Sequence, residues 1–344
     1  MLVSIIVPVH NAEDYLARCL DSLLGQTFLS NHQDEYEILL IENNSTDEST
    51  AIILKYLTDY PDTIRYYSVN ANGAAAARNF GVTKARGKYM WFVDADDYVD
   101  QTAVQKLFKT AEKANADLTM LGAKRIFKNG HTQYLAAINP NEKDYKHRFV
   151  RYGSGPWQFL IRRSWWLDNE FQFKNGIIHE DMELMSALIL YTNNFASVDE
   201  PLYFYLENDN SVLHKSTWTG EYFDIFTALD GVYQRFKAKN ALKTYHDDLE
   251  YFFIWNLLLD SANDFKKFKE GRPGFKRTRE MFKKYFPNWR KNKYLKQKSF
   301  LFRLRRKLSY HGIVKWAYFF FSSSSSFLNA TLPTRVCGSL SRNS

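Results

Sequence analysis

Two short acidic clusters are the residues of this 344-residue chain whose types and spacing could do chemistry. The first is Asp94-Ala95-Asp96, followed by Asp97, directly after the apolar run Tyr89–Val93. Two carboxylates two positions apart at the end of a buried strand repel one another and call for a counter-charge. Hard oxygen ligands suit Mg2+ or Mn2+, with diphosphate oxygens completing the shell. A solvated acidic turn is the plainer alternative. The second cluster is His179-Glu180-Asp181, ahead of an apolar helical pattern at Met182, Leu184, Met185, Leu188 and Ile189. Acidic residues favour a helix N-terminus in any case. The chemical reading is a general base that takes a proton from an acceptor hydroxyl.

The first 120 residues supply elements that could position the first cluster. Leu2–Val9, Glu37–Ile41, Ile64–Val69, Tyr89–Val93 and Leu118–Leu121 read as strands. Between them, helices are expected over Ala12–Leu24, from a capping box at Ser45–Glu48 to about Leu57, over Ala74–Ala85 and around Gln101–Lys113. Strands alternating with helices predict an α/β fold with a mostly parallel sheet covered on both faces. In such a sheet, ligands bind beyond the carboxyl ends of the strands. There the sequence places Pro8-Val-His-Asn11, Glu42-Asn-Asn-Ser45 and Asp94–Asp97. The first turn lacks glycine and no GxxxxGK[ST] occurs, which argues against a dinucleotide or P-loop site. Helical periodicity returns from about Glu221 to Phe265.

Composition narrows the class. Hydrophobic residues make up 45% and aromatics 17%, which excludes a disordered chain. Cys19 and Cys337, far apart in sequence, form no disulfide framework, and Cys19 falls on the apolar face of a helix as an inert core thiol. The N-terminus lacks the pattern of a signal peptide, and no uncharged apolar stretch is long enough to span a bilayer.

SIIVPVHNAEDYLARCLDSLLGQ, EILLIENNSTDEST, NGAAAARNFGVTKARGKYMWFVDADD and IIHEDMEL resemble, in order, the signature blocks of family-2 glycosyltransferases with the GT-A fold, of the bacterial cell-surface polysaccharide and teichoic acid type. The resemblance covers about residues 1–215. It implies an inverting, metal-dependent transfer of a sugar from a nucleotide-sugar, with a UDP-sugar expected, by a hexosyltransferase-type enzyme. The acceptor would be a hydroxyl of a cell-surface glycan or a lipid-linked acceptor, and the cofactor Mn2+ or Mg2+. Pro8, His10, Asn11 and Glu13 would line the nucleotide pocket. Glu42 stands where the family usually has the Asp that accepts from the uracil N3–H, and Asn43 replaces a frequent second Asp. Asn72, Gly73 and Arg78 match the segment beside the diphosphate, although Arg78 also reads as a helix-surface cation. Asp94 and Ala95 would lie near the donor ribose or sugar, and Asp96 would be the main metal ligand. Trp157 matches an aromatic near the acceptor–sugar cleft, or is a core tryptophan. Asp181 matches the catalytic base and Glu180 its supporting neighbour, while His179 reads as structural. His214 falls where a late metal or phosphate ligand occurs, or is an exposed loop histidine. The QxxRW motif of processive synthases is missing. A sugar nucleotidyltransferase and a non-catalytic nucleotide-binding or membrane scaffold are the competing classes.

The net charge of +8 conceals a division. Residues 251–344 carry 21 Lys/Arg against 4 Asp/Glu, leaving the first 250 net acidic. We therefore expect a GT-A nucleotide-sugar-binding and catalytic domain over 1–215 and a helical C-terminal region over 216–344. The basic, aromatic stretch Lys266–Lys315 suits an anionic membrane surface better than nucleic acid, and FLFRLRRKLSYHGIVKWAYFFF reads as an interfacial amphipathic segment. A cytoplasmic protein, peripheral at the inner face of the cell membrane, is the expectation.

Overall fold

The computed structural model describes residues 1–70, 73–207 and 219–296. The chain opens with β1 (Val3–Val9), α1 (Leu16–Leu24), α2 (Leu29–His32), β2 (Tyr36–Asn43), α3 (Ser49–Asp59), β3 (Ile64–Val69), α4 (Gly73–Lys84) and β4 (Tyr89–Phe92). It continues through β5 (Tyr98–Val99), α5 (Ala103–Ala114), β6 (Leu118–Ile126), β7 (Thr132–Leu135), α6 (Tyr145–Tyr152), β8 (Phe159–Arg162), α7 (Arg163–Asp168), α8 (Met182–Met185) and β9 (Phe195–Leu206). Helices α9 (Asp224–Ala238), α10 (His246–Trp255), α11 (Ser261–Lys267), α12 (Pro273–Tyr285) and α13 (Lys293–Lys296) follow. No helix among the described residues is long and apolar enough to cross a membrane.

The sheet order is β3-β2-β1-β4-β8-β6-β9-β5, with β7 beside β6. Its first half is parallel, as expected: β1 pairs with β2 and β4, and β2 with β3. Every residue of β2 is buried, the mark of a strand covered on both faces. The second half is mixed. β8 lies antiparallel to β4 and β6, whereas β6 and β9 are parallel. Parallel register aligns Val9 with Glu42 and Ile6 with Phe92, so the loops after β1, β2 and β4 emerge at one edge.

Helices pack on the sheet because their apolar residues recur at helical spacing. Leu16, Cys19, Leu20 and Leu23 of α1 are all buried. Burial above all pushes the Cys19 thiol up, so it is a core thiol rather than a nucleophile. On the opposite face α4 approaches closely: a Cβ on Gly81 would stand 2.4 Å from Ile6 Cγ2.

The expected capping box at Ser45–Glu48 does not form. Helix α3 begins at Ser49 with no side-chain cap from Glu48. Loop stitching takes those side chains instead. The Ser45 hydroxyl accepts the Asn11 N–H at 3.2 Å, and the Asp47 carboxylate accepts N–H groups of Glu13 and Ser49, each at 3.0 Å.

One apolar cluster runs from the sheet (Ile6, Leu39, Phe92) through Trp166 and Phe173 into the C-terminal helices at Val232, Phe253, Phe282 and Trp289. Each such fully buried large side chain stabilises by roughly 1.5–3 kcal/mol. In the described part of the basic tail, four aromatics therefore face inward. Phe275, Phe282, Phe286 and Trp289 are buried, while Lys276, Arg277, Lys283, Lys284, Arg290 and Lys291 are exposed. The interfacial segment expected around 300–321 lies outside the described residues.

A buried acid holds the opposite edge of the sheet. Glu37 accepts from the Ser4 hydroxyl at 2.6 Å, Arg65 Nη1 at 2.7 Å, and the backbone N–H and Nε of Arg86 at 2.8 and 3.0 Å. Burial raises its pKa, but these donors outweigh it and hold the carboxyl below its ordinary value of 4.5. Glu37→Gln should cost about 2 kcal/mol, the scale of hydrogen bonds to a charged group. Because the folded-state pKa is depressed, that stability should be complete above pH 4.5 and lost as pH falls through the lowered value. Urea unfolding of both proteins from pH 7 to pH 3 checks it, since the gap between them should narrow in acid.

Candidate active site

At the strand ends, β4 delivers Asp94, Ala95, Asp96 and Asp97. Ala95 is buried, whereas Asp94 and Asp96 are only half-buried. Asp97 turns inward and is 1% exposed. Its Oδ2 accepts the Tyr203 hydroxyl at 2.6 Å and its Oδ1 the Leu206 N–H at 2.8 Å. Burial pushes the Asp97 carboxyl well up, and the charges of Asp96 and Asp94 add to it.

Arg78 joins the two acidic clusters, which are far apart in sequence. Projecting from α4, it donates from Nη2 to Asp94 Oδ1 at 2.8 Å and from Nη1 to Glu180 Oε1 at 2.6 Å. Its side chain is 8% exposed. Burial works against its charge, but Asp94, Glu180 and Asp181 overcome it and hold the guanidinium above the ordinary arginine value. Arg78 is thus a buried bridge rather than a surface cation. Its placement has a local cause. The neighbouring Asn79 exchanges two hydrogen bonds with the Phe173 backbone, each 2.9 Å, and the guanidinium stands 5.7 Å from the Phe173 ring.

The second cluster is a tight turn into α8. His179 is buried with φ +69°, and its carbonyl accepts the Met182 N–H at 3.1 Å. Asp181 caps the helix through its backbone, accepting the Met185 N–H at 2.8 Å. Asp224, the first residue of α9, anchors the turn by accepting the Ile178 N–H at 3.0 Å. His179 takes the left-handed backbone conformation at this turn.

On the far side of β1, His10 Nδ1 lies 2.7 Å from the Asn43 carbonyl oxygen. Asn11, at φ +49°, accepts the Thr46 N–H at 2.8 Å, and Glu13 accepts the Glu48 N–H at 2.9 Å. His10, Asn11 and Glu13 are exposed, and Pro8 is half-buried in the strand before them. Glu42 is 5% exposed and uses both oxygens within its own corner, accepting Ser45 N–H at 2.6 Å and the Ser68 hydroxyl at 2.9 Å. The extra methylene of Glu42 reaches those groups. Asn43 Nδ2 donates to the carbonyl of Gly73, whose φ is +83°. Asn72 and His214 lie outside the described residues.

Trp157 stands behind the Asp94–Asp97 loop. It is 5% exposed, and its ring stacks on Tyr203 at 4.5 Å and on Tyr205 at 5.9 Å. Tyr203, Asp224 and Phe173, which hydrogen-bond the two acidic turns or lie against the Arg78 guanidinium, carry no signal in the sequence. Each looks like an ordinary core or helix-start residue, and only the tertiary contact distinguishes it.

The donor set fits a hard cation. Two half-buried carboxylates share one strand end, and the charge they impose is felt by Asp97, which its own hydrogen bonds withhold from ligation. Two other features do not compete. His246, Asp247 and Glu250 could approach a metal, but Asp247 pairs with Lys293 at 3.2 Å and Glu250 accepts from Asn292 at 2.8 Å. A groove of about 760 Å³ lined by Lys174, Glu183, Tyr191, Arg235 and Met281 has its charges paired, Glu183 lying 3.1 Å from Arg235 and 3.6 Å from Lys174.

Comparison with known proteins accords with this geometry. Residues 4–171 match the model of the family described as Glycosyl transferase family 2. Glycosyltransferase GlyG of Streptococcus pneumoniae is 25% identical over 276 residues, 73% of this chain and 89% of its own. A poly(ribitol-phosphate) beta-glucosyltransferase of Bacillus spizizenii is 27% identical over 243 residues, 70% of this chain; the matched region spans only 37% of that relative. The crystal structure of Staphylococcus aureus TarS 1-349 in complex with UDP-GlcNAc superposes with TM-score 0.68 at 19% identity, over 84% of this chain and 83% of that one. That structural likeness shows the fold. Residues 4–171 thus resemble glycosyl transferase family 2, and with these relatives and the strand-end carboxylates the chain is a glycosyltransferase built on the GT-A fold.

Proposed function

We propose that the chain transfers a sugar, with inversion, from a UDP-sugar to a hydroxyl of a cell-surface glycan or lipid-linked acceptor. The observation that supports this reading is the Arg78 bridge between Asp94 and Glu180, which joins the loop after β4 to the acidic turn before α8. UDP-GlcNAc in the TarS structure supports the donor class, and a relative that acts on poly(ribitol-phosphate) supports a cell-surface acceptor.

In the proposed step the Asp181 carboxylate takes the acceptor hydroxyl proton as that oxygen attacks the anomeric carbon. The new glycosidic bond forms as the bond to the diphosphate oxygen breaks, and UDP leaves with the electron pair. Asp94 and Asp96 would hold Mn2+ or Mg2+, which supplies Lewis-acid neutralisation of the diphosphate. Arg78 adds a fixed cation where the charge develops, and Glu180 keeps that cation in place between departures. Holding donor and hydroxyl in line supplies much of the remaining rate.

A thermal-shift panel of nucleotide-sugars with Mn2+ tests the donor class through mass action. One UDP-sugar should raise the melting temperature, and EDTA should abolish the rise. Stabilisation by no nucleotide-sugar would overturn the reading.

The proposed acceptor side includes contact with an anionic membrane through the outward cations and residues 297–344. Because Phe275, Phe282, Phe286 and Trp289 belong to the core, the informative truncation falls after Lys296. The full chain should co-sediment with anionic liposomes more than the truncated one. Equal sedimentation would count against a part for residues 297–344 in membrane contact.

A further inference from the structure

Asp97 and Tyr203 form a buried pair immediately behind the strand-end carboxylates. The Tyr203 oxygen donates to Asp97 Oδ2 at 2.6 Å and accepts the Asp94 N–H at 3.1 Å. One phenol thereby ties the first residue of the loop to the last. The other Asp97 oxygen accepts the N–H of Leu206, which ends β9. The Tyr203 ring is itself wedged, stacked on Trp157 at 4.5 Å and edge-on to Trp91 at 6.2 Å. Trp91 Nε1 donates to the Trp157 carbonyl at 2.7 Å, which closes the support.

Stability alone does not account for an acid here. A buried carboxylate beside two like charges is unfavourable, and an apolar group of similar shape is often neutral or stabilising at such a place. What the acid does supply is two directional acceptors that fix the loop backbone on both sides. We propose that Asp97 and Tyr203 are positioning residues that set the spacing of the Asp94 and Asp96 carboxylates for a divalent cation and the donor diphosphate. This rests on the proposed metal-dependent donor binding and names the residues that preorganise it. It also gives Trp157 a role as the prop of Tyr203.

Tyr203→Phe removes the hydroxyl and keeps the ring, so the stacking on Trp157 survives. Isothermal titration of UDP into the full chain, in Mn2+ and in EDTA, separates positioning from packing. In Mn2+ the affinity of Tyr203→Phe should fall about tenfold, the scale of one lost hydrogen bond, while its affinity in EDTA stays native. Asp97→Asn, which keeps an acceptor for Leu206, should recover most of the affinity that Asp97→Ala loses. Native affinity of Tyr203→Phe in Mn2+, or an equal loss in Mn2+ and EDTA, would overturn the assignment while leaving the donor reading intact. Metal-independent binding by the native chain would overturn both.

Discussion

Asp181→Asn is expected to bind UDP as the native chain does while turnover falls by about 10²–10⁴-fold, the usual contribution of a positioned general base. The amide is isosteric and leaves the backbone of the turn alone, including the Asp181 carbonyl that accepts the Met185 N–H. What it cannot do is take a proton. The loss should therefore appear in kcat, with donor affinity retained, the signature of an interaction made only as the bond forms. Steady-state UDP release, with UDP affinity measured alongside, checks both halves. Near-native turnover would remove Asp181 from the role.

Arg78→Ala is expected to harm stability and donor binding together. Its guanidinium is 8% exposed and faces carboxylates 26% and 17% exposed, so its removal strands two half-buried acids. Breaking one partner out of such a network costs about 3–5 kcal/mol. Arg78→Lys makes the sharper comparison. One ammonium can restore the charge, but it cannot fork to Asp94 and Glu180 at once. Its melting temperature should recover more than its turnover, which should stay at least about tenfold low. Thermal unfolding and UDP release on the two variants test this. Native turnover in Arg78→Lys would show that the bridge between the clusters is dispensable.

The strands that end at the candidate site were legible because β1, β2 and β4 are apolar runs that end abruptly in polar residues. Periodicity found them, and the parallel pairing followed. The second half of the sheet was not legible. β6 pairs with both β8 and β9, and nothing local in residues 118–126 specifies either partner or its direction. The acidic clusters stood out by residue type, but their meeting depends on Arg78, whose helical position reads like any exposed arginine. Trp157 was legible only as an aromatic of two possible uses; the stack on Tyr203 is a tertiary fact. Ser45–Glu48 fitted a capping box, yet the loop after β1 offered stronger competitors for the same side chains. In the tail, composition pointed outward, whereas the helical spacing of Phe275, Thr278 and Phe282 marks an inward face.

We propose that the carboxylates at the end of β4 hold a divalent cation and through it the donor. Isothermal titration of UDP into the native chain and Asp96→Ala, each in Mn2+ and in EDTA, tests it most directly. The native chain should bind tightly only in Mn2+, and Asp96→Ala in Mn2+ should bind no better than the native chain in EDTA. Unchanged, metal-dependent binding by Asp96→Ala would contradict the claim.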